Sequence, residues 1–308
     1  MKISGFTIVR NGERFEYPYL ESIRSLIPLV DEVVINVGRG DDKTLKEVQN
    51  LALNESSSQK KIIIFESEWA LDDPEKKRDG KILSEQTNLS LERCTGDWCI
   101  YLQADEVLHE DDYEVLKTSL RTYWKNPKVE GLLFDYRHFY GSYDIVQHSR
   151  SSYRREVRAI KNGLQIQSVG DAQSFRHSTG RKIWVAHSNA RIFHYGWVRS
   201  PDAMKKKTFF MDQLYHGDPS SEAAKEEIPH TGDNYRYKRF WGLRRFQETH
   251  PHVMSERIKN KGWKWDFENS PFVLNWKDSG KVRSDLFERF TGIRPFEYKS
   301  YRMFTRTD

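Results

Sequence analysis

The sequence predicts an α/β fold: a mixed sheet flanked by helices, followed by a basic, aromatic-rich C-terminal extension. Three observations predict it. Short apolar runs of strand length alternate with segments of helical spacing over residues 1–125, the pattern of βαβ units on a mostly parallel sheet. Beyond 125 strand-like runs follow one another without helices between them, which turns the sheet mixed. The 308 residues are 37% hydrophobic and 31% charged, a globular chain long enough to bury a sizeable core. No stretch approaches the roughly 18 consecutive apolar residues of a spanning helix.

Each element has its own signal. Ile3 to Val9 is an apolar β run. Tyr17, Leu20, Ile23, Leu26 and Ile27 share a helical face that Pro28 closes. Glu32 to Val37 is a second strand, followed by the loop GRGDD. Thr44 to Leu53 reads as a helix, Lys61 to Phe65 as a third strand, Lys81 to Arg93 as a helix, Trp98 to Leu102 as a fourth strand and His109 to Trp124 as a helix. Gly131 to Tyr140, Tyr153 to Ile160 and Ala190 to Val198 are the later strands. Ser200-Pro201-Asp202 supplies an N-cap, a proline for the first turn and an early acid, opening a helix to about Tyr215. Residues 216–234 are polar and turn-rich and read as a flexible loop. We therefore expect one domain over 1–215 and, over 216–308, a flexible loop followed by a helical or irregular C-terminal extension.

Charge divides the chain unevenly. Residues 1–150 carry 20 Lys and Arg against 27 Asp and Glu, whereas residues 151–308 carry 30 against 18. The second half is thus suited to an anionic partner. The run YRYKRFWGLRRF (235–246) has five basic and five aromatic residues and no acid, which suits a nucleic acid, an anionic glycan or an anionic membrane surface. It reads equally as an amphipathic helix packing its rings inward. Cys94 and Cys99 cannot form a disulfide framework, and the N-terminus lacks a signal-peptide h-region; a cytoplasmic chain, peripheral at most to the inner face of the membrane, is the expectation.

The segment GDWCIYLQADEVLHEDD (96–112) is the most informative. An apolar strand ends in Gln103-Ala104-Asp105-Glu106, which puts carboxylates at the strand end where parallel sheets bind ligands. Hard divalent cations take oxygen ligands, often one or two carboxylates together with phosphate oxygens. The same acids also suit the N-terminal end of the next helix.

Here the sequence resembles the family 2 glycosyltransferases, whose fold is the Rossmann-like glycosyltransferase-A type. The resemblance covers residues 3–210 through FTIVRNGE, VDEVVINVGRGDDKT, LSEQTNLSLERCTGDW and QADE. It implies transfer of a sugar from a nucleoside diphosphate sugar to an acceptor hydroxyl, with inversion, and Mn²⁺ or Mg²⁺ as cofactor. The family's D-x-D position reads Gln103-Ala104-Asp105 here, so the resemblance places the metal on Asp105, with Gln103 neutral beside it. A histidine after a late strand, His194 in RIFHYGWVRSP, would complete the metal site. Donor contacts are implied at Thr7 in the first strand and Arg10, Asn11 and Glu13 after it, at Asn36 and Asp41 around the second, and at Lys81, with Arg78 nearby. Arg199 and the lysines 205–207 suit a diphosphate, Arg199 and Lys205 first among them; consecutive lysines cannot all face one site.

The resemblance also implies an acceptor-side acid, and Asp171 in SVGDAQ is the candidate base, although Gly-Asp is also ordinary turn chemistry. Asp135 and Asp144 are weaker candidates, and Trp197 or Trp184 could stack on a sugar face. A glycan or lipid-linked saccharide is the implied acceptor. Modified nucleic-acid bases are an alternative, and so is a non-catalytic binding protein, motivated by the neutral Gln103 and Asn36.

Overall fold

In the computed structural model the described residues are 1–55, 61–149, 152–216, 235–273, 279–292, 294 and 297–305. The expected loop 217–234 lies outside them. The first half alternates as predicted: β1 (Ile3–Val9), α1 (Tyr19–Leu26), β2 (Glu32–Gly38), α2 (Thr44–Asn54), β3 (Lys61–Ser67), the short α3 (Pro74–Lys77), α4 (Lys81–Leu91), β4 (Trp98–Tyr101), β5 (Glu106–Leu108) and α5 (Tyr113–Trp124). Strands β1 and β2 are buried along their whole length, as strands covered on both faces must be. β1 pairs in parallel with β2 on one side and β4 on the other, and β2 pairs in parallel with β3.

The mixed half follows: β6 (Gly131–Tyr140), β7 (Ser142–Gln147), β8 (Arg155–Lys161), the hairpin β9 (Ile166–Val169) and β10 (Ser174–His177), and the long β11 (Trp184–Trp197). β8 joins antiparallel to both β4 and β6. β6 runs parallel to β11, and β11 turns its other edge to β5. β5 and β7 had no signal in the sequence because three- and six-residue runs after a polar turn do not show a period. Helix α6 (Pro201–His216) starts where predicted: the Ser200 hydroxyl accepts from the Ala203 amide at 3.2 Å.

The C-terminal stretch contributes β12 (Leu243–Arg245) against β7, the helices α7 (Ser255–Lys259) and α8 (Ser279–Thr291), and β13 (Arg302–Met303) against β11. All five rings of 235–246 are packed. Tyr235 and Tyr237 are buried beside Met204, Trp263 and Trp265. Phe240 meets Tyr140, Phe246 meets Phe139, and the Trp241 indole donates to Asp285. The rings pack inward, but from turns and the short strand β12 and not from the expected amphipathic helix. Among the described residues no helix is long and apolar enough to cross a membrane.

Candidate active site

The site is assembled by strand register. β5 follows β4 after a tight turn, and its Glu106 lies opposite His194 of β11; His194 in turn lies opposite His138 of β6. Asp105, next to Glu106, therefore reaches His194 although 88 residues separate them in sequence. The Asp105 Oδ1 stands 3.6 Å from His194 Nε2, and its Oδ2 stands 3.5 Å from Lys207 Nζ and 3.7 Å from an Arg199 nitrogen. Burial alone would raise the Asp105 carboxyl, but Lys207, His194 and Arg199 outweigh it and hold the group far below the usual carboxylate range.

These groups line a cleft of about 530 Å³ at the carboxyl ends of the central strands. Asp105, His194 and Lys207 line it together with Asp171, whose Oδ2 accepts from the Tyr215 hydroxyl at 2.9 Å and whose Oδ1 accepts from the Gln173 backbone amide at 3.2 Å. α6 forms a side of the cleft through Lys207, Met211 and Tyr215, each four residues from the next and thus on one face. Trp197, 40% exposed, also lines it.

One buried ion pair fixes both acid-bearing loops. Arg158 donates from Nε and Nη2 to the two oxygens of Glu106, each at 2.8 Å, and both side chains are fully buried. Glu106 also accepts from the Gln103 amide, which closes the turn that presents Asp105. Arg158 donates to the Gln173 carbonyl at 2.7 Å, beside Asp171. Sequence reasoning missed Arg158 because an arginine inside a strand run carries no local mark of its partner.

The Asp105–His194 pair suits two ligands of one divalent ion, and among the described residues no third His, Cys, Asp or Glu joins it. Two ligands each about 2.1 Å from one ion stand roughly 3.0–3.5 Å apart at octahedral or tetrahedral angles, close to the 3.6 Å between Asp105 and His194. The space beside them is kept by Gly196, where a Cβ would fall 2.6 Å from His194 Nε2 and 3.4 Å from Asp105 Oδ2. Hydrogen bonding assigns the histidine tautomers. The Tyr153 carbonyl, 2.7 Å from His138 Nε2, accepts a proton there. Burial and the neighbouring His194 keep His138 neutral, well below its ordinary pKa. His138 Nδ1 is then an acceptor for His194 Nδ1–H at 2.8 Å, so the other His194 nitrogen, Nε2, is the one that faces Asp105.

The structure gathers Asp105, His194, Asp171, Gln103 and Arg10 on the cleft. Gln103 reaches toward the Ala172 carbonyl at 3.4 Å. Arg10 lies at the end of β1, donating from Nε to the Arg39 carbonyl at 2.7 Å. Other expected contacts are not on it. Asn36 is wholly buried: its amide donates to Gln86 and its oxygen accepts from Ser67, so neither end is open to a base. Thr7 is buried in β1 beneath the cleft, and Glu13 accepts from the Tyr19 hydroxyl. Asn11 occupies a left-handed turn (φ 52°), which asparagine tolerates, and its oxygen accepts from the Asp41 amide. Asp41 pairs with Arg14 on a neighbouring groove.

Arg199 is buried, its guanidinium donating to the carbonyls of Phe15, Tyr195 and Gly196, and so supports the site from beneath. Lys81 is exposed at the start of α4 and does not line the cleft. Lys205 does not face the cleft; Lys207, two residues on, does, donating to the Gly196 carbonyl at 2.6 Å. Burial and Arg199 push its ammonium down to about 7, against the pull of Asp105. Trp184 stands beside Arg302, Asp135 pairs with Arg155 and His187, and Asp144 lies near Lys261, all away from the cleft.

No protein-family model matches the chain, and no curated protein matches it. Solved structures similar to it include GalNAc-T7 with UDP, GalNAc and Mn²⁺, at 14% identity over 73% of this chain and 53% of that one, TM-score 0.39. S. aureus TarS (residues 1–349) with UDP is 13% identical over 73% of this chain and 69% of that one, TM-score 0.38. The mannosyltransferase PcManGT from Pyrobaculum calidifontis with GDP-Man and Mn²⁺ is 19% identical over 44% of this chain, TM-score 0.33, and the chain spans 36% of its length. At these identities and TM-scores the functional reading rests on the site's own residues.

Proposed function

We propose that this chain is a glycosyltransferase that moves a sugar from a nucleoside diphosphate sugar to an acceptor hydroxyl, with inversion. The observation that carries the reading is the meeting of Asp105 and His194 on a cleft that Asp171 also lines. Asp105 and His194 would hold Mn²⁺ or Mg²⁺, which when bound supplies positive charge to the departing diphosphate.

Lys207, buried beside Asp105 with its pKa pushed down to about 7, adds positive charge there in its protonated form. Asp171 takes the acceptor proton. Its two oxygens each hold one donor, and a carboxylate has lone pairs left to accept from a hydroxyl. The Tyr215 hydroxyl and the Gln173 amide keep it oriented. A saccharide is the acceptor we favour, because the half-exposed Trp197 offers a ring face at the cleft beside the reacting groups.

Donor hydrolysis tests the reading without an identified acceptor. The native chain with Mn²⁺ should slowly cleave at least one of a panel of nucleoside diphosphate sugars, and Asp105→Ala should abolish that cleavage. Tight donor binding with no cleavage across the panel would replace the enzyme by a binding protein.

A further inference from the structure

Asn36, the residue the sequence offered to the donor's base, is closed off in a network that continues to the cleft. Asn36 donates to Gln86, and the Gln86 amide donates on to the Glu68 carbonyl at 3.0 Å, next to Trp69. The Trp69 carbonyl accepts from the Leu71 amide at 2.7 Å, so the backbone is held on both sides of this residue. Trp69 lines the cleft, half-buried, with Leu83 and Val9 as apolar neighbours on the lining. Its seat is the end of β2: a Cβ at Gly38 would fall 2.3 Å from Trp69 Nε1 and 2.8 Å from two more ring atoms, so only glycine lets the indole lie there. The indole Nε1 is buried with no hydrogen-bond partner among the described residues. A buried indole N–H normally finds one, and this exception borders the cleft.

The position of Trp69 gives the cleft a direction. It follows β3, and in the sheet β3, β2 and β1 lie to one side of β4, which presents Asp105. β6 and β11, with His194 and Trp197, lie to the other side. The cleft therefore runs from an apolar end at Trp69 to the charged centre at Asp105, His194 and Lys207. A nucleoside diphosphate has the same sequence of parts: a flat heterocycle at one end and a charged diphosphate at the other.

We infer that Trp69, seated on Gly38, is the platform for the donor's nucleobase, and that Asn36 acts only indirectly, by holding the shelf on which Trp69 stands. The inference rests on the donor reading above and assigns the base, which that reading leaves open, to a specific surface. Ring stacking tolerates any base, so Trp69 supplies affinity for a nucleoside without choosing its identity.

The test compares UDP, GDP and inorganic pyrophosphate by calorimetry at fixed Mn²⁺, using the full chain. Stacking on an aromatic side chain contributes about 1–3 kcal/mol per base. Trp69→Ala should therefore weaken the better-bound nucleoside diphosphate by roughly 10- to 100-fold while leaving pyrophosphate affinity within about twofold. Trp69→Phe should recover most of the loss, and Gly38→Ala, which displaces the ring without touching the ligand, should mimic Trp69→Ala in part. Equal losses for nucleoside diphosphate and pyrophosphate in Trp69→Ala, or no loss for either, overturn the inference. If the native chain binds pyrophosphate as tightly as UDP and GDP, the platform fails and the diphosphate site stands; if it binds none of the three, the donor reading falls with it.

Discussion

His138 Nδ1 lies 2.8 Å from His194 Nδ1, two ring nitrogens that can share only one proton. Because His138 donates its own N–H to the Tyr153 carbonyl, the shared proton belongs to His194. The consequence is on the far side of the His194 ring, where Nε2 faces Asp105 and is the nitrogen placed to bind a metal. His138 touches no reacting group; it is a positioning residue acting through His194.

Replacing His138 should therefore alter ion binding more than folding. His138→Phe removes the acceptor while keeping a ring of similar size. We expect its Mn²⁺ dissociation constant, measured by electron paramagnetic resonance in the presence of UDP, to rise about 10- to 100-fold. Far-ultraviolet circular dichroism should be unchanged. An unaltered Mn²⁺ constant in the folded variant would remove His138 from the mechanism.

Gly196 gives a complementary prediction by addition. A methyl group there intrudes within 2.6 Å of His194 Nε2, close to the ion-binding edge. Gly196→Ala should lose Mn²⁺-stimulated donor cleavage by at least about tenfold, one ligand displaced being worth more than 1.4 kcal/mol. Excess chelator should bring the native chain to the same low rate, and Mn²⁺ should restore the native chain only. A variant as active as the native chain would place the ion elsewhere.

The Glu106–Arg158 pair predicts a stability effect of known asymmetry. Arg158→Met strands a fully buried carboxylate and should cost about 3–5 kcal/mol in urea unfolding. Adding Glu106→Gln removes the stranded charge, and its amide oxygen can still accept from Tyr136, which now donates to Glu106 at 2.8 Å. The double variant should recover a large part of the loss. Since the pair also holds the turn before Asp105 and the carbonyl of Gln173, the single variant should lose donor cleavage even at temperatures where it is folded.

The alternation of the first half was legible because β1, β2 and β4 are continuous apolar runs and the helices between them have amphipathic spacing. Asp105 was legible for the same reason: it follows the strand whose end must face the ligand. His194 was reached through resemblance, and the register of β5 on β11 explains why it arrives at Asp105. What stayed hidden depends on contacts between distant segments. Asn36 looked like a ligand because the sequence cannot show that Gln86 and Ser67 occupy both ends of its amide. Lys205 and Lys207 are chemically alike, and only the rotation of α6 decides which enters the cleft. Trp69 follows a strand in an unremarked loop, and its meaning appears only when Gly38 is seen beneath it.

The last prediction concerns pH. His250 sits among Phe139, Phe246 and Tyr195; it accepts from the Tyr195 hydroxyl at 2.9 Å and donates to the Tyr143 carbonyl at 3.1 Å. Burial pushes its pKa from 6.5 down to about 4. Above pH 6.5 the ring is neutral in the folded and unfolded chain alike, and the stability it supports is fully present. As pH falls from 6.5 toward 4 the unfolded chain binds a proton that the folded chain refuses, so stability falls, by on the order of 2–3 kcal/mol in all. Below about 4 both states are protonated and this contribution is flat. His250→Gln keeps one acceptor and one donor for the same two partners but cannot titrate. Its melting temperature should therefore decline less steeply than the native chain's across pH 6.5 to 4. The residual slope should come from His138 and His148, which burial also holds below the ordinary value, and toward pH 4 from carboxylates such as Glu32 that the fold holds low. Identical slopes in the two proteins would show that His250 is protonated in the fold and that its ring is more accessible to water than its neighbours imply.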